Sequence, residues 1–185
     1  MPTTITHALI AVCAAKAVAP ANAPTRFCAT AAICSMLPDA DVLAFLVGIP
    51  YRHVLGHRGF SHSLSFAFLL AGAAAVSLLR REDGFTRRDL FHWVFFFFIT
   101  ASHGVLDALT DGGLGIALLA PFDNQRYFLP WTPIEVSPIG IQGLFSRRGW
   151  LVMQSELFWV WLPSACLLLL SAMTRAARRK WRRFP

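Results

Sequence analysis

Apolar runs dominate the chain and are separated by short polar stretches. Three of them, residues 60–79, 90–109 and 151–173, hold about 20 mostly apolar positions, the length that an α-helix needs to cross a bilayer. Two further runs, 6–20 and 27–38, are apolar but shorter. The pattern predicts an all-α fold: an integral membrane helical bundle of about five helices.

The length of 185 residues predicts one membrane-embedded domain over 1–173, followed by a basic tail over 174–185. Composition agrees, because 56% of the residues are hydrophobic and the mean hydropathy is +0.53. A cleaved signal peptide is not expected, since no positive segment precedes the first apolar run and Lys16 interrupts it. The four cysteines form no CxxC pair and are interpreted as small apolar side chains.

The net charge of +7 comes from basic residues that flank the apolar runs. They cluster in the loop RREDGFTRR, residues 80–88, and in the tail RAARRKWRRF. Because basic loops stay on the cytoplasmic side, we predict a cytoplasmic C-terminus and an outward-facing segment 110–150, although Arg147 and Arg148 oppose this orientation. Such clusters suit anionic lipid head groups, so membrane lipids are the expected partners and nucleic acid is not.

Ionisable residues gather at one end of the predicted helices. Since the chain crosses the membrane in alternating directions, the end of one helix and the start of the next share a side. Ionisable groups at a membrane edge are costly and usually mark a functional site. The set, predicted to lie at the outer edge, comprises His7, Asp39, Asp41, His57, His62, His103 and Asp107.

The most specific pair is HGVLD, in which His103 and Asp107 are four residues apart and share one helical face. LPDAD, residues 37–41, is expected to be an irregular segment that can bend to supply carboxylates. Imidazole and carboxylate ligands suit zinc, and also manganese or iron. Taken alone, HxxxD can be a plain hydrogen-bonded pair and LPDAD a turn. His53 and His92 lack a partner at ligand spacing and are left outside the site.

The stretch HRGFSH, residues 57–62, places two imidazoles and a guanidinium at the mouth of the third helix. His57 and His62 converge only if the chain turns at Gly59, after which Ser61 is expected to cap the helix. Arg58 can neutralise charge on a phosphoryl group, or it can be an interfacial arginine that extends towards water.

Five motifs together carry a resemblance: TH at residues 6–7, LPDAD, HRGFSHS, HGVLDALTDGG and LLAPFDNQRYFLPW. They resemble the YdjM/YbcI-type family of membrane-bound predicted metal-dependent hydrolases, also described as LexA-binding inner-membrane-associated hydrolases, over roughly residues 1–135. The resemblance implies a bacterial inner-membrane location and a distant similarity to zinc-dependent phospholipase C. It also implies metal ligands at His7, Asp39, His57, His62, His103 and Asp107, with Asp41 as a second acid.

The expected function is hydrolysis of a phosphoester in a lipid or lipid-linked substrate, with one or two divalent ions activating water. Asp39 or Asp41, whichever does not bind metal, is expected to act as general base, with Arg58 as the phosphate clamp. The aromatic segment that follows residue 110 is predicted to cover the site as a lid, with Arg126 beside it.

Other functions stay open at this point. A metal-free lipid phosphatase would carry SR-x5-HxxxD, but Phe96 and Phe97 occupy the Ser and Arg positions. An intramembrane metalloprotease would need HExxH, which does not occur. A transporter would hold its ligands near the bilayer midplane at broken helices. A scaffold with a regulatory metal is the remaining alternative.

Overall fold

The computed structural model describes residues 1–19, 24–78 and 84–181, and this part of the chain is helical without named strands. Arg80, Arg81 and the tail beyond residue 181 lie outside the described residues. The helices are α1 (Thr4–Val18), α2 (Thr25–Met36), α3 (Leu64–Ser77), α4 (Arg87–Ala108), the short α5 (Ile141–Leu144), α6 (Arg147–Glu156) and α7 (Leu162–Trp181).

The predicted bundle of about five helices is confirmed. A π-helical turn, Leu157–Trp161, joins α6 to α7, so these segments form one long helical run. Three runs are long and apolar enough to cross a membrane, namely Thr25–Val47, Arg87–Ala108 and Arg147–Arg178, whereas α1 and α3 are apolar but shorter. The basic tail predicted to begin at residue 174 continues α7 as far as Trp181.

LPDAD does not form the irregular segment expected from its proline. The α-helical turns of α2 instead tighten into a 3₁₀-helix, Leu37–Val47, with Pro38 in its first turn, where a missing N–H is tolerated. Gly48 ends this helix with a left-handed φ of 75°. Asp39 and Asp41 are therefore held on a regular element and, two residues apart, face different directions.

The helix that follows HRGFSH begins later than predicted. Ser63, and not Ser61, caps α3, since the Ser63 side chain accepts a hydrogen bond of 3.1 Å from the Phe66 N–H. The predicted cap at Ser61 is therefore wrong, and the Ser61 hydroxyl instead donates to the Asp41 carboxylate at 2.5 Å. His62 lies just before α3, in a single 3₁₀ turn, Phe60–His62.

Small side chains form much of the core, and large apolar ones face outward. Ala11, Ala15, Ala31 and Ala71 are all fully buried, which lets helix backbones approach closely, as they do in membrane bundles. Phe27 and Phe96 fill the space between α2 and α4. The outer surface carries large exposed apolar side chains, including Leu69, Val76, Phe98, Leu167 and Leu170. An outer surface of this composition suits contact with lipid.

A buried glutamate ties the last helical run to the start of α1. The Glu156 carboxylate accepts hydrogen bonds from the Thr3 N–H at 2.5 Å, the Thr3 hydroxyl at 2.6 Å and the Thr6 hydroxyl at 2.5 Å. Trp161 donates its indole N–H to the Thr6 hydroxyl at 2.6 Å. Glu156 thereby accepts from a free backbone N–H and two hydroxyls at the start of α1. His7 follows Thr6 directly on the same turn.

Candidate metal centre

Four of the predicted ligand side chains converge inside the bundle. One ligand atom from each of Asp39, His62, His103 and Asp107 lies within 4.8 Å of the other three, and all four residues are buried. They come from three elements, because the 3₁₀-helix after α2 supplies one, the turn before α3 another, and α4 the HxxxD pair. Such a group could hold one metal ion.

Hydrogen bonds on the outer ring nitrogens orient both histidines. The His103 Nδ1–H donates to the Ser35 carbonyl at 2.7 Å, so Nε2 faces the cluster. His62 Nδ1 lies 2.9 Å from the Ser61 hydroxyl and 3.2 Å from an Asp41 oxygen, so its Nε2 also faces inward. The two Nε2 atoms are 3.0 Å apart. This arrangement, with one nitrogen anchored and the other presented, is typical of metal-binding histidines.

Three of the four carboxylate oxygens at the centre lack a hydrogen-bond donor among the described residues. Neither Asp107 oxygen has one, nor does Asp39 Oδ1, although all three atoms are buried. Asp107 Oδ2 lies 3.3 Å from His62 Nε2, and Asp39 Oδ1 lies 3.3 Å from His103 Nε2. Buried anionic oxygens without donors are costly unless a cation neutralises them. The residues present therefore fit a metal ion.

The charges around His62 also favour a cation at the cluster. Burial lowers the pKa of His62, yet the surrounding carboxylates of Asp107, Asp39 and Asp41 outweigh it and hold that pKa well above its ordinary range. The cluster thus carries an excess of negative charge that either a proton or a metal cation can neutralise.

His7 lies at the edge of the same cluster. Its ring stacks on that of His103 with 3.8 Å between the centroids, and Nε2 lies 3.4 Å from Asp107 Oδ1. Both ring nitrogens of His7 are buried and find no hydrogen-bond partner in the described ranges 1–19, 24–78 and 84–181. The structure therefore places a fifth predicted ligand beside His103 and Asp107, two members of the cluster.

His57 and Asp41 form a second group beside the first. The His57 Nδ1 atom lies 2.6 Å from Asp41 Oδ1, and the other Asp41 oxygen accepts from the Arg58 N–H at 3.0 Å and from Ser61. The side chains that could hold a cation here are those of Asp41, His57 and His62, so His62 belongs to both groups. His57 itself does not join the four-residue cluster, whose members are Asp39, His62, His103 and Asp107.

Arg58 is buried beneath the cluster, and its side chain does not extend along the surface. Its Nε lies 3.3 Å from Asp107 Oδ2, while the two terminal nitrogens donate to the Gly112 carbonyl at 2.8 Å and the Thr110 hydroxyl at 3.1 Å. Its backbone has a φ of 61°, which is strained for a residue other than glycine. The Arg58 carbonyl is held by the Ala117 N–H at 3.0 Å.

The segment after α4 packs on the HRG loop. Ile116 pairs with Tyr127, and the Leu64 N–H donates to the Leu118 carbonyl at 3.0 Å. Arg126 donates to the carbonyls of His57 and Tyr51, each at 2.9 Å. The predicted position of Arg126 near the site is thus observed, and its role there is to hold the loop that carries His57.

The residues left out of the site lie away from it. The His53 Nδ1 accepts from the Leu55 N–H at 3.1 Å within its own turn. The His92 ring contacts Phe27 and Phe96 in the core. Sequence reasoning missed the supporting groups, namely the Ser35 carbonyl, Thr110 and Gly112, because each acts through a contact between distant segments.

Gly104 lies directly after His103 and marks a close approach between two elements. A Cβ there would lie 2.8 Å from the His62 carbonyl oxygen and 3.4 Å from Ile116 Cδ1.

We expect Gly104→Ala to displace His62 and to weaken metal binding roughly ten-fold or more, measured by competition with a chelator. Gly72→Ala is the matched control, because its Cβ would meet the Trp93 indole at 3.6 Å from Nε1 and 3.8 Å from Cε2, which are ordinary contacts. Equal affinities in both variants would contradict this close fit.

Comparisons with known proteins extend over nearly the whole chain. The family described as YdjM inner membrane protein matches residues 1–179. The chain is 41% identical over 169 residues to the inner membrane protein YbcI of Escherichia coli (strain K12), which covers 91% of this chain and 95% of that protein. No solved structure matches the chain. Both descriptions state a location and no reaction.

Proposed function

The chain belongs to the YdjM family of inner membrane proteins, and we propose that it is a membrane-embedded, metal-dependent hydrolase acting on a phosphoester of a lipid or lipid-linked substrate. The observation that carries the proposal is the buried cluster of Asp39, His62, His103 and Asp107, in which three of the four carboxylate oxygens lack a hydrogen-bond donor in the described part of the chain. Two imidazoles and two carboxylates in a buried site are unusual without a cation.

In this proposal the ion is held by His62, His103, Asp39 and Asp107, with His7 as a further ligand. A set of nitrogen and oxygen donors suits zinc, and manganese or iron are the alternatives. When bound, such an ion lowers the pKa of a water molecule and polarises a phosphoryl oxygen. A second ion would use the group of Asp41, His57 and His62.

We propose that, with one ion bound at the four-residue cluster, His57 accepts a proton from the attacking water. Its Nδ1 is held by Asp41 at 2.6 Å, which leaves Nε2 as the free acceptor. Asp41, predicted from the sequence as the general base, already accepts from Arg58 and Ser61, and these contacts favour a positioning role for it. The arrangement of a carboxylate behind an imidazole recurs in hydrolytic sites.

Arg58 was predicted to clamp a phosphate. All three of its guanidinium nitrogens face oxygens of the protein itself, which favours a role in holding Asp107 in place. In that role it offsets part of the negative charge of the cluster and stays buried throughout the reaction.

The test is an assay on untagged, metal-loaded protein in mixed micelles with dioleoyl phosphatidic acid, dioleoyl phosphatidylglycerol and undecaprenyl diphosphate. We expect release of inorganic phosphate or of a phosphate ester from at least one of them, and loss of this activity with a chelator. His57→Gln should lower the rate roughly 100-fold or more with metal retained, whereas Arg58→Lys should lower metal content and rate together. Metal-loaded protein that hydrolyses none of the three would leave a metal-binding or transport protein as the better description.

We further propose that the cluster faces the outer side of the inner membrane and that the C-terminus is cytoplasmic. A single cysteine at Gln125, which is exposed, reports on this orientation in a background without the four native cysteines. Gly112 is less suitable, because a Cβ there would lie 2.7 Å from Val136 Cγ1. We expect labelling by an impermeant thiol reagent from the outside, and labelling only after permeabilisation would reverse the orientation.

A further inference from the structure

A groove opens beside the candidate metal centre. Its cavity has a volume of about 330 Å³, at the lower end of the range for small-molecule sites. Three segments form the groove: the start of the chain up to the first turn of α1, the 3₁₀-helix after α2, and residues 137–144. The apolar part of its lining comprises Met1, Ile5, Val42, Pro138, Ile139 and Leu144.

Asp39 connects this groove to the cluster. One of its oxygens, Oδ2, accepts from the Thr4 hydroxyl at 3.3 Å, and Thr4 also lines the groove. The other oxygen, Oδ1, lies 3.3 Å from His103 Nε2 inside the cluster. A molecule in the groove would thus have one end within reach of the candidate metal ligands.

The charge of the lining restricts what the groove can hold. Among the residues that the structure describes, no lysine, arginine or histidine side chain lines it, and Asp39 is the one acidic side chain there. A phosphate is therefore disfavoured in the groove itself, whereas an uncharged hydrocarbon chain suits its walls. Ile5 and Ile139, which are 57% and 59% exposed, form an exposed apolar rim through which a hydrocarbon chain would enter the groove.

We propose that this groove binds one acyl chain of a membrane phospholipid and so positions the phosphoester of that lipid at the metal cluster. The inference rests on the proposed function and deepens it, because it assigns the substrate a long hydrocarbon chain and a direction of entry. The limited volume admits part of one chain and leaves the rest of the lipid in the bilayer.

Val42 offers the sharpest variant, since Val42→Trp fills the groove from the 3₁₀-helix. Leu46→Trp is the matched control, because Leu46 lies on the same helix, is 82% exposed and does not line the groove. Both variants should keep the metal content of the wild type. If Val42→Trp loses metal, Ile139→Trp on the opposite wall takes its place in the comparison.

The experiment is native mass spectrometry of the full chain titrated with dioleoyl or dihexanoyl phosphatidylglycerol. We expect Val42→Trp to bind the dioleoyl lipid roughly ten-fold more weakly than the wild type and Leu46→Trp. All three should bind the dihexanoyl lipid weakly and alike. Equal binding of the dioleoyl lipid by all three proteins would overturn the proposal, and so would a dimer that Val42→Trp dissociates, since a second copy would then occupy the groove.

The two proposals fail in different ways. Chain-length-dependent binding that Val42→Trp weakens, without hydrolysis of any lipid, would support the groove and refute the hydrolase. Hydrolysis that is equal for both lipids and unaffected by Val42→Trp would support the hydrolase and refute the groove.

Discussion

Replacing Asp107 by asparagine is expected to strip the metal from the protein while the bundle stays folded in the membrane. The substitution keeps the shape of the side chain but removes the charge between His62, His7 and Arg58. We expect a loss of metal affinity on the order of 100-fold or more, together with loss of hydrolysis. Elemental analysis and circular dichroism of the purified variant separate loss of metal from loss of fold.

His92→Ala is the control on the same helix, because His92 packs against Phe27 and Phe96 and contributes no ligand atom to the cluster. It should keep both metal and activity. Full metal occupancy in Asp107→Asn would mean that the HxxxD pair is a plain hydrogen-bonded pair. A metal-free function would then be the better description.

The second large effect is expected at Glu156. Glu156→Ala would leave the Thr3 N–H and the Thr3 and Thr6 hydroxyls without their acceptor inside the bundle. We expect the free energy of unfolding in detergent to fall by about 3–5 kcal/mol. Because Thr6 precedes His7, metal affinity should fall as well.

Glu135→Ala is the matched control for this prediction. Its carboxylate pairs with Arg148 at 2.8 Å, but both side chains are more than a third exposed. A surface pair of this kind contributes at most about 1 kcal/mol. If both variants unfold alike, the network around Glu156 does not hold α1 in place.

The helices could be predicted from the sequence because each carries its own signal. The spans of α4 and of the last helical run follow directly from their apolar length. The extension of α2 could not be predicted in this way, since a proline usually ends a helix, whereas the structure accommodates Pro38 in the first turn of a 3₁₀-helix. The start of α3 was missed for a related reason, because two serines stand in the same turn and either can cap a helix.

The convergence of His62, His103, Asp39 and Asp107 was predicted from alternating membrane crossings, which place helix ends at one depth. Which histidine belongs to which group could not be predicted from the sequence. His57 and His62 are close in sequence, yet one joins the four-residue cluster and the other pairs with Asp41. That division depends on the strained turn at Arg58, whose contacts to Thr110 and Gly112 join segments far apart in the chain.

The metal content of the wild-type chain, purified without a histidine tag, tests the central claim most directly. Mass spectrometry of the elements should find about one zinc, manganese or iron ion per chain, and a chelator should remove it with a drop in thermal stability. Protein that holds no such ion, whether expressed in supplemented medium or reloaded after purification, would contradict the account.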